Sequence, residues 1–473
     1  MSGIRAFGAY VPRQRLPRAV VAEAMGWLNP PGQSPAGARA VCAWDEDALT
    51  MGVAAARHCL SQLPATGAIQ ALEFASTTLP FADRSNAGVI AAALALDGDI
   101  QSTDAGGSQR CATGALRRAL DSGRRTLLIS ADKRVARPGS AQEMVIGHGA
   151  AALLIDPAEH FVTLLGAASL ARDFVDHHRE SGESFDYVLE ERWVRDEAWS
   201  SFVPAALRQA LDNAHLAADA VTHFICPSSG AVAARVAKAA HLPPTSVVAP
   251  PNADIGDLGC AQSLFMLAQT LEVAPAGSLI ALLGFGQGVD ALLLRVERAA
   301  PQPASIAGLI GAGVAETHYM RYLSQQQLVE VDFGMRAERD QRSAQTTAYR
   351  KRDALHAFIG GRCRDCGAVQ FPRTRVCVNP QCRRTDTQQA HRLADQGGRV
   401  KTFTEDWLAY SPRPPYIYGN VTFAEGGNLF MEFCDLEPGE LAVETPVQFH
   451  FRIKDIDRLR HFKRYFWKAS PAR

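Results

Sequence analysis

Short apolar runs alternate with longer amphipathic stretches through the first 298 residues of the chain. Five runs are almost continuously apolar, at 71–77, 125–132, 151–155, 223–227 and 278–286. Such runs are typical of strands that are buried on both faces. Three stretches have helical spacing, at 48–63, 114–120 and 260–271. This alternation predicts an α/β fold with a mainly parallel sheet that is covered by helices.

The same region contains an internal repeat. The segment GHGAAALLI at 147–155 corresponds to GQGVDALLL at 286–294, and each follows an apolar strand. Cys111 and Cys260 each lead into an apolar helix, and FASTT at 74–78 corresponds to FICPSS at 224–229. Three matching landmarks in the same order predict two similar α/β halves.

The amino-acid composition of the sequence changes near residue 299. Pro, Ala and Gly dominate the next segment, and a polar stretch with helical spacing extends to about residue 355. Four alternating, aromatic-rich segments follow, at 399–410, 416–426, 428–436 and 447–454. This pattern predicts a small β-barrel. The resulting domains are an α/β domain at 1–298, a linker with a helical segment at 299–355, a cysteine-containing segment at 356–388 and a barrel at 389–473.

Charge and hydropathy exclude several classes of protein. The chain has 473 residues, with 49 Lys plus Arg and 49 Asp plus Glu, so its formal net charge is zero. A balanced chain of this kind argues against nucleic-acid binding through a basic surface. No apolar run is long enough to cross a membrane, and the N-terminal segment lacks an apolar signal core. We therefore expect a cytoplasmic protein whose ten cysteines are thiols or metal ligands.

Four of these cysteines are clustered in a pattern that predicts a zinc site. Cys363 and Cys366 form one close pair, and Cys377 and Cys382 form another about ten residues later. Two such pairs can place four thiolates tetrahedrally around Zn²⁺, and Gly367 permits the tight turn after the second ligand. A site with four protein ligands has no open position, so its expected role is in folding.

Two family resemblances follow from particular motifs. Residues 1–298 resemble the HMG-CoA synthase and ketoacyl synthase III branch of the thiolase superfamily. The segments that carry this resemblance are GAYVP at 8–12, WDEDALT at 44–50, FASTT at 74–78, GHGAAA at 147–152, DHHR at 176–179 and GFGQG at 284–288. The C-terminal part is similar to the zinc-ribbon and OB-fold family that accompanies thiolases, on CRDCG at 363–367, FPR at 371–373 and GRVKTFT at 398–404.

The resemblance implies a two-half thiolase-like fold and a Claisen reaction on a coenzyme A thioester. In this mechanism a cysteine at a helix N-terminus is acylated, and His and Asn stabilise the charges that develop. The matching positions of this chain carry Gln109, Ile225 and Asp257. None of these has the expected side chain. Cys111 and His223, each two residues away, are the alternative catalytic pair.

Other polar residues have a functional and a structural interpretation. His148 stands where the family has Asp, and a structural role is expected. His177 and His178 are candidate metal ligands or part of a polar surface segment. The basic, aromatic segment 458–468 is a candidate clamp for CoA phosphates or an acidic partner, or else a helix at the barrel edge or a solvated tail.

Three functions remain open from the sequence. The first is an acyl-CoA-binding component of a thiolase-type complex, acting with a separate catalytic thiolase subunit. The second is an active acyl-CoA C-acyltransferase that uses Cys111. The third is a non-enzymatic assembly scaffold. The resemblance also implies an oligomer, with pairing either to a second copy or to a catalytic relative, and no nucleic-acid or membrane partner is expected.

Overall fold

The computed structural model describes residues 2–28, 35–64, 67–96, 98–300, 305–338 and 344–472. The strands are β1 (Gly3–Tyr10), β2 (Gln14–Pro17), β3 (Ala38–Val41), β4 (Ala71–Ala75), β5 (Gln101–Ala105), β6 (Thr126–Asp132), β7 (Gly149–Asp156), β8 (Val162–Ala171), β9 (His177–His178), β10 (Tyr187–Val188), β11 (His223–Ile225), β12 (Leu279–Phe285), β13 (Gly288–Val296), β14 (Val314–Ala315), β15 (Ile359–Cys363), β16 (Val369–Gln370), β17 (Gln388–Arg392), β18 (Gly398–Asp406), β19 (Tyr416–Phe423), β20 (Asn428–Glu432), β21 (Pro446–Asp457) and β22 (Phe462–Pro471). The α-helices are α1 (Arg18–Ala24), α2 (Ala48–Leu60), α3 (Asn86–Ala93), α4 (Cys111–Asp121), α5 (Glu191–Trp193), α6 (Val203–Asn213), α7 (Gly230–Ala239), α8 (Asn252–Ile255), α9 (Gln262–Val273), α10 (Ile306–Gly311), α11 (Tyr319–Gln325), α12 (Gln345–Arg350) and α13 (Arg352–Leu355).

The chain divides into two compact units. Unit 1 consists of Met1–Ala43, Asp47–Gly88 and Asp97–Tyr322, and unit 2 consists of Trp44–Glu46, Val89–Leu96 and Leu323–Arg473. The main division therefore lies inside the segment 299–355 that the sequence assigns to a linker. Parts of that segment, 301–304 and 339–343, lie outside the described residues.

Unit 1 contains a nine-stranded sheet in the order β11-β12-β13-β8-β1-β7-β6-β4-β5. The expectation of a mainly parallel sheet is wrong, because only the pairs β4/β5, β4/β6 and β11/β12 are parallel. Strands β12 and β13 are joined by a short turn, and such a turn reverses the direction of the chain. Continuous apolar runs reveal that both faces of a strand are covered, and they carry no information on its direction.

The order of the strands in the nine-stranded sheet confirms the two similar halves that the sequence predicted. From the centre outward, β1, β7, β6 and β4 are mirrored by β8, β13, β12 and β11. Helices α4 and α9 occupy equivalent places after β5 and before β12, and both bury their apolar side chains in one core. A second core lies between α6, α7 and the strands of the C-terminal half. The helices predicted at 48–63, 114–120 and 260–271 are confirmed as α2, α4 and α9.

The N-terminus of α2 illustrates how the local sequence sets an element boundary. Asp47 caps this helix by accepting a hydrogen bond from the Thr50 amide at 3.0 Å, while Thr50 Oγ1 accepts from the Asp47 amide at 2.9 Å. This reciprocal capping box satisfies two amides that the first turn leaves without a helical partner. The family motif at 44–50 therefore has a structural reason in addition to its value for recognition.

Unit 2 contains two further sheets. A three-stranded sheet, β16-β15-β17, leads into the cysteine segment, and an antiparallel five-stranded sheet has the order β20-β19-β18-β21-β22. Trp467 on β22 is fully buried, is stacked 5.8 Å from Phe358, and donates its Nε1–H to the His356 carbonyl at 2.7 Å. The antiparallel strands agree with the predicted all-β C-terminal part, and the OB-type barrel remains a prediction.

The segment 458–468 is neither a helix nor a tail. Most of it forms β22, which pairs with β21 over its whole length. Lys468 is 2% exposed, and its Nζ contacts Asp45 Oδ2 at 2.9 Å and Glu432 Oε2 at 3.0 Å, all within unit 2. Burial opposes ionisation of Glu432, but Lys468 and Lys454 hold its pKa at about 2. The alternation of aromatic and basic residues in this segment is a strand pattern.

Within the described residues, the structure has no helix that is both long and apolar enough to cross a membrane.

Candidate functional site

The N-terminus of α4 lies against the turn between β12 and β13 in unit 1. Ser108 Oγ donates to the Gly286 carbonyl at 2.9 Å, and Arg110 Nη1 pairs with Asp290 Oδ1 at 3.1 Å. A Cβ atom on Gly286 would lie only 3.0 Å from the Gln109 amide nitrogen, and its φ is +153°. Glycine at this position therefore allows the turn to approach the first amides of the helix closely.

Gln109, which lies just before the helix, is held by a cluster of polar side chains. Its side-chain oxygen accepts hydrogen bonds from the two terminal nitrogens of Arg134 at 2.9 and 3.0 Å, and from His177 Nε2 at 3.1 Å. This is the position where the resemblance expects a nucleophilic cysteine. A carboxamide cannot form a thioester, so Gln109 acts here as an acceptor that gathers two donors.

His177 is oriented from its other nitrogen. Its Nδ1 lies 2.7 Å from Asp176 Oδ2, and Asp176 Oδ1 accepts from Gln287 Nε2 at 3.2 Å. Gln287 also donates to the His177 carbonyl at 3.1 Å. The interpretation of His177 as part of a polar surface segment therefore misses its place in the cluster. The DHHR motif at 176–179 was the signal that pointed to it.

Two carboxylates, those of Asp186 and Asp257, stabilise the positive charge of Arg134. Asp186 Oδ2 accepts from Arg134 Nε at 3.0 Å and from Nη2 at 2.5 Å, and Asp186 Oδ1 accepts from Arg179 at 3.0 Å. Burial disfavours the charged form of Arg134, but Asp186 and Asp257 outweigh it and raise the pKa of the guanidinium. Burial also opposes ionisation of Asp186, yet Arg134 and Arg179 lower its pKa. The cluster therefore keeps a fixed positive charge beside Gln109.

His148 holds the backbone of Arg134 in this cluster through a hydrogen bond. It is fully buried, its Nδ1 accepts from the Cys42 amide at 2.9 Å, and its Nε2 donates to the Arg134 carbonyl at 2.7 Å. Burial lowers the pKa of His148 to about 3, so the ring is neutral near pH 7. These contacts fit the structural role that the sequence suggested.

Asp257 takes the place of the expected asparagine. Its Oδ1 accepts from the Gly259 amide at 2.8 Å. Burial raises the pKa of the Asp257 carboxyl, while Arg134 acts in the opposite direction. The raised pKa favours the protonated carboxyl, which has a single O–H donor in place of the two N–H donors of an asparagine amide.

The alternative catalytic residues are on two separate elements. Cys111 is the first residue of α4, is half-buried, and lies next to the thiol of Cys260. Burial, together with Cys111, raises the pKa of Cys260 well above its ordinary value. His223 is at the start of β11 opposite Ile280, whereas the turn that contacts Gln109 begins at Gly286, six residues later in the chain.

The surroundings of β11 agree with this separation. His223 Nδ1 is bonded to Thr222 Oγ1 at 2.9 Å, and burial lowers the pKa of the imidazole. No hydrogen bond joins His223 to Cys111, both of which lie in the described part of the chain. Ile225, at the carboxyl end of the strand, is fully buried in the apolar core.

The four cysteines of unit 2 converge at the end of β15. Their sulfur atoms all lie within 4.8 Å of one another. The Cys363 and Cys382 sulfurs are 3.9 Å apart, and the Cys366 and Cys377 sulfurs are 3.5 Å apart. Tetrahedral zinc with bonds of about 2.3 Å needs sulfurs about 3.8 Å apart, so the arrangement fits Zn²⁺. Gly367, with φ of +74°, forms the turn after Cys366.

Comparison with known proteins assigns each part of the chain. Residues 350–388 match the family of ChsH2, rubredoxin-like zinc ribbon domains. Hydroxymethylglutaryl-CoA synthase of Pyrococcus horikoshii is 28% identical over 321 residues, which are 64% of this chain and 89% of that protein. The chain is a fusion of an HMG-CoA-synthase-like part and a zinc-ribbon part.

Two further relatives support this assignment. A DUF35 domain-containing scaffold protein of Methanocaldococcus jannaschii is 28% identical over 100 residues, covering 20% of this chain and 69% of that protein. The solved structure of MvaS in complex with 3-hydroxy-3-methylglutaryl coenzyme A is similar with a TM-score of 0.61 and 19% identity, over 69% of this chain and 92% of that one. The structural similarity confirms the thiolase-like fold.

Proposed function

We propose that this protein is an acyl-CoA-binding component of a thiolase-type complex that forms or cleaves carbon–carbon bonds. Its own Cys-His-Asn set has been replaced by Gln109, Ile225 and Asp257. The observation that carries the proposal is the Gln109 carboxamide, which lies at the head of α4 and is bonded to Arg134 and His177. A separate catalytic thiolase subunit would carry the covalent chemistry.

The residues around Gln109 support binding and orientation of a thioester. Arg134 and His177 are donors that converge on one oxygen, and both are oriented by carboxylates. Converging donors of this kind can stabilise a carbonyl or oxyanion, and a thioester oxygen would reach them by replacing the Gln109 oxygen. A structurally similar HMG-CoA synthase was solved in complex with CoA, and this supports the choice of ligand.

We further propose that Cys363, Cys366, Cys377 and Cys382 hold Zn²⁺ in unit 2. A four-thiolate site is closed, so the ion contributes folding free energy to the ribbon and takes no part in a reaction. The relative described as a scaffold protein supports an assembly role for this unit. A second copy of the chain is the alternative partner to a thiolase subunit.

The proposal is tested by measuring CoA binding and covalent modification on the same sample. We expect the full chain to bind CoA and acetyl-CoA by calorimetry and to show no added acyl mass by intact-mass spectrometry. The absence of CoA binding would leave only the scaffold function. Binding that becomes tighter when a catalytic thiolase is present would support the complex.

The second candidate function is an acyltransferase that uses Cys111. Its support is the position of Cys111 as the first residue of an 11-residue helix, where the helix dipole favours a thiolate. An acyl adduct that is lost in Cys111→Ala would establish this function. Cys226→Ala is the matched control, because Cys226 is a fully buried thiol of the same unit.

A further inference from the structure

The four sulfur atoms of the cysteine cluster differ in exposure. Cys363 and Cys377 are buried, Cys382 is half-buried and Cys366 is exposed. A small oxidant in solvent therefore reaches Cys366 before it reaches the other three. Metal-bound thiolates still react with oxidants, and exposure is one of the factors that decide which sulfur reacts.

The sulfurs also differ in their hydrogen bonds. Cys363 Sγ lies 3.2 Å from Thr387 Oγ1 and accepts from the amides of Asp365 and Cys366. Cys377 and Cys382 each accept from one backbone amide, that of Asn379 and that of Arg384 respectively. Because donors withdraw electron density from a thiolate, the larger number of donors on Cys363 makes its sulfur less nucleophilic than those of Cys377 and Cys382.

The ribbon that surrounds the cluster is strongly basic. Residues 350–388 contain nine Lys and Arg and three Asp and Glu, although the whole chain is neutral. Several of these side chains are exposed on the cysteine loops, including Arg364 and Arg384. Four thiolates on Zn²⁺ leave two negative charges, and basic surroundings stabilise them as thiolates. Exposed thiolates in electropositive surroundings are the ones that peroxides oxidise.

We propose that Cys366 is an oxidation site at which hydrogen peroxide converts Cys366 and Cys377 into a disulfide and releases the zinc ion. The Cys366 thiolate attacks one peroxide oxygen, the O–O bond breaks, and hydroxide leaves. The Cys377 thiolate then attacks the resulting sulfenic acid, the S–S bond forms, and a second hydroxide leaves. Two thiolates lose two electrons, and one peroxide molecule gains them.

The geometry favours this pair over the pair of Cys363 and Cys382. The Cys366 and Cys377 sulfurs are 3.5 Å apart, whereas those of Cys363 and Cys382 are 3.9 Å apart. A disulfide needs about 2.05 Å, so the first pair moves less. After oxidation only two thiolates remain for the ion, and two ligands cannot hold it as four do. The site therefore links the fold of the ribbon to the redox state of its surroundings.

The test uses the full, zinc-loaded chain and hydrogen peroxide. Released zinc is followed with a chromophoric chelator, and disulfides are located by peptide mass spectrometry. We expect one zinc ion per chain to be released in step with a Cys366–Cys377 disulfide. Oxidation of Cys363 or Cys382 before Cys366 would overturn the proposal, as would zinc that stays bound while Cys366 is oxidised. Neither readout depends on CoA, so the result is separate from the proposed function.

A substitution tests the role of the hydrogen bonds. Thr387→Val removes the side-chain donor from Cys363, so the share of Cys363 among the first oxidised sulfurs should rise several-fold. Thr385→Val is the matched control, because Thr385 is exposed on the same loop and has no contact with a sulfur atom among the described residues. If Thr387→Val leaves the order of oxidation unchanged, hydrogen bonding does not select Cys366, and the proposal is overturned at that step.

Discussion

At the scale of single residues, the two candidate sites differ in how far the sequence could predict them. The four cysteines of unit 2 are close in sequence, so their spacing was sufficient to predict that they lie together. The cluster around Gln109 joins that residue to two other segments of the chain, one that holds Arg134 and one that holds both His177 and Asp186. Only a fold brings such segments together, and a polar residue in a loop gives no sign of its partners. The resemblance located Gln109 but gave no indication of Arg134.

Gln109→Cys tests whether the site still binds a thioester in a reactive position. A thiol there would lie at the head of α4 beside His177, so we expect it to gain an acyl group from acetyl-CoA. Intact-mass spectrometry measures the adduct. Gln101→Cys, on an exposed position of β5, is the matched control and should remain unmodified. A Gln109→Cys chain that binds CoA but gains no acyl group would show that the thioester lies elsewhere.

At the scale of elements, apolar patterns predicted where strands and helices occur but not how strands pair. The direction of β13 follows from the short turn that precedes it, and a burial pattern does not encode this. Strand β22 was missed because its basic residues obscured the alternation that places Tyr465 and Trp467 inside. The charge of Lys468 is satisfied by Asp45, more than 400 residues earlier, and no local pattern reveals such a partner.

The ion pairs of β20 and β22 predict how unit 2 responds to acid. The pKa of Glu432 is about 2 in the folded protein, below its ordinary value of 4.5. A depressed pKa stabilises the fold above about pH 4.5, and this contribution is lost as pH falls towards 2. Glu432→Gln should therefore lower the unfolding midpoint of unit 2 at pH 7 and reduce its dependence on pH between those values.

Thermal denaturation across this pH range measures the effect. Glu425→Gln is the control, because Glu425 is exposed and pairs with Arg362 at the surface, where such a pair contributes about 1 kcal/mol or less. Equal pH dependence in the Glu432→Gln variant and the unchanged protein would contradict the prediction.

At the scale of the whole molecule, the sequence predicted two parts of different architecture. It placed the change near residue 299, where composition changes, whereas the two units divide after Tyr322. The intervening residues belong to unit 1 through contacts such as Tyr319 Oη donating to Glu143 at 3.0 Å. A hydrogen bond between residues 176 positions apart cannot be predicted from the local amino-acid composition.

Zinc removal should affect the two units unequally. A strong chelator is expected to unfold the ribbon, because its short strands bury little apolar surface without the ion, and to leave unit 1 folded. Hydrogen exchange on the full chain distinguishes the two, with loss of protection expected for β15 to β17 and none for β6 and β7. Loss of protection in both units at once would show that the metal stabilises more than the ribbon.

The hydrogen bonds that the Gln109 oxygen already accepts have a consequence for ligand selectivity. Its oxygen already accepts from Arg134 twice and from His177 once, so a thioester carbonyl that enters the cluster exchanges hydrogen bonds with it and adds none. Exchange between equivalent hydrogen bonds yields little net free energy. If the protein binds an acyl-CoA as proposed, discrimination among acyl groups would therefore depend on the size and shape of the carbon chain.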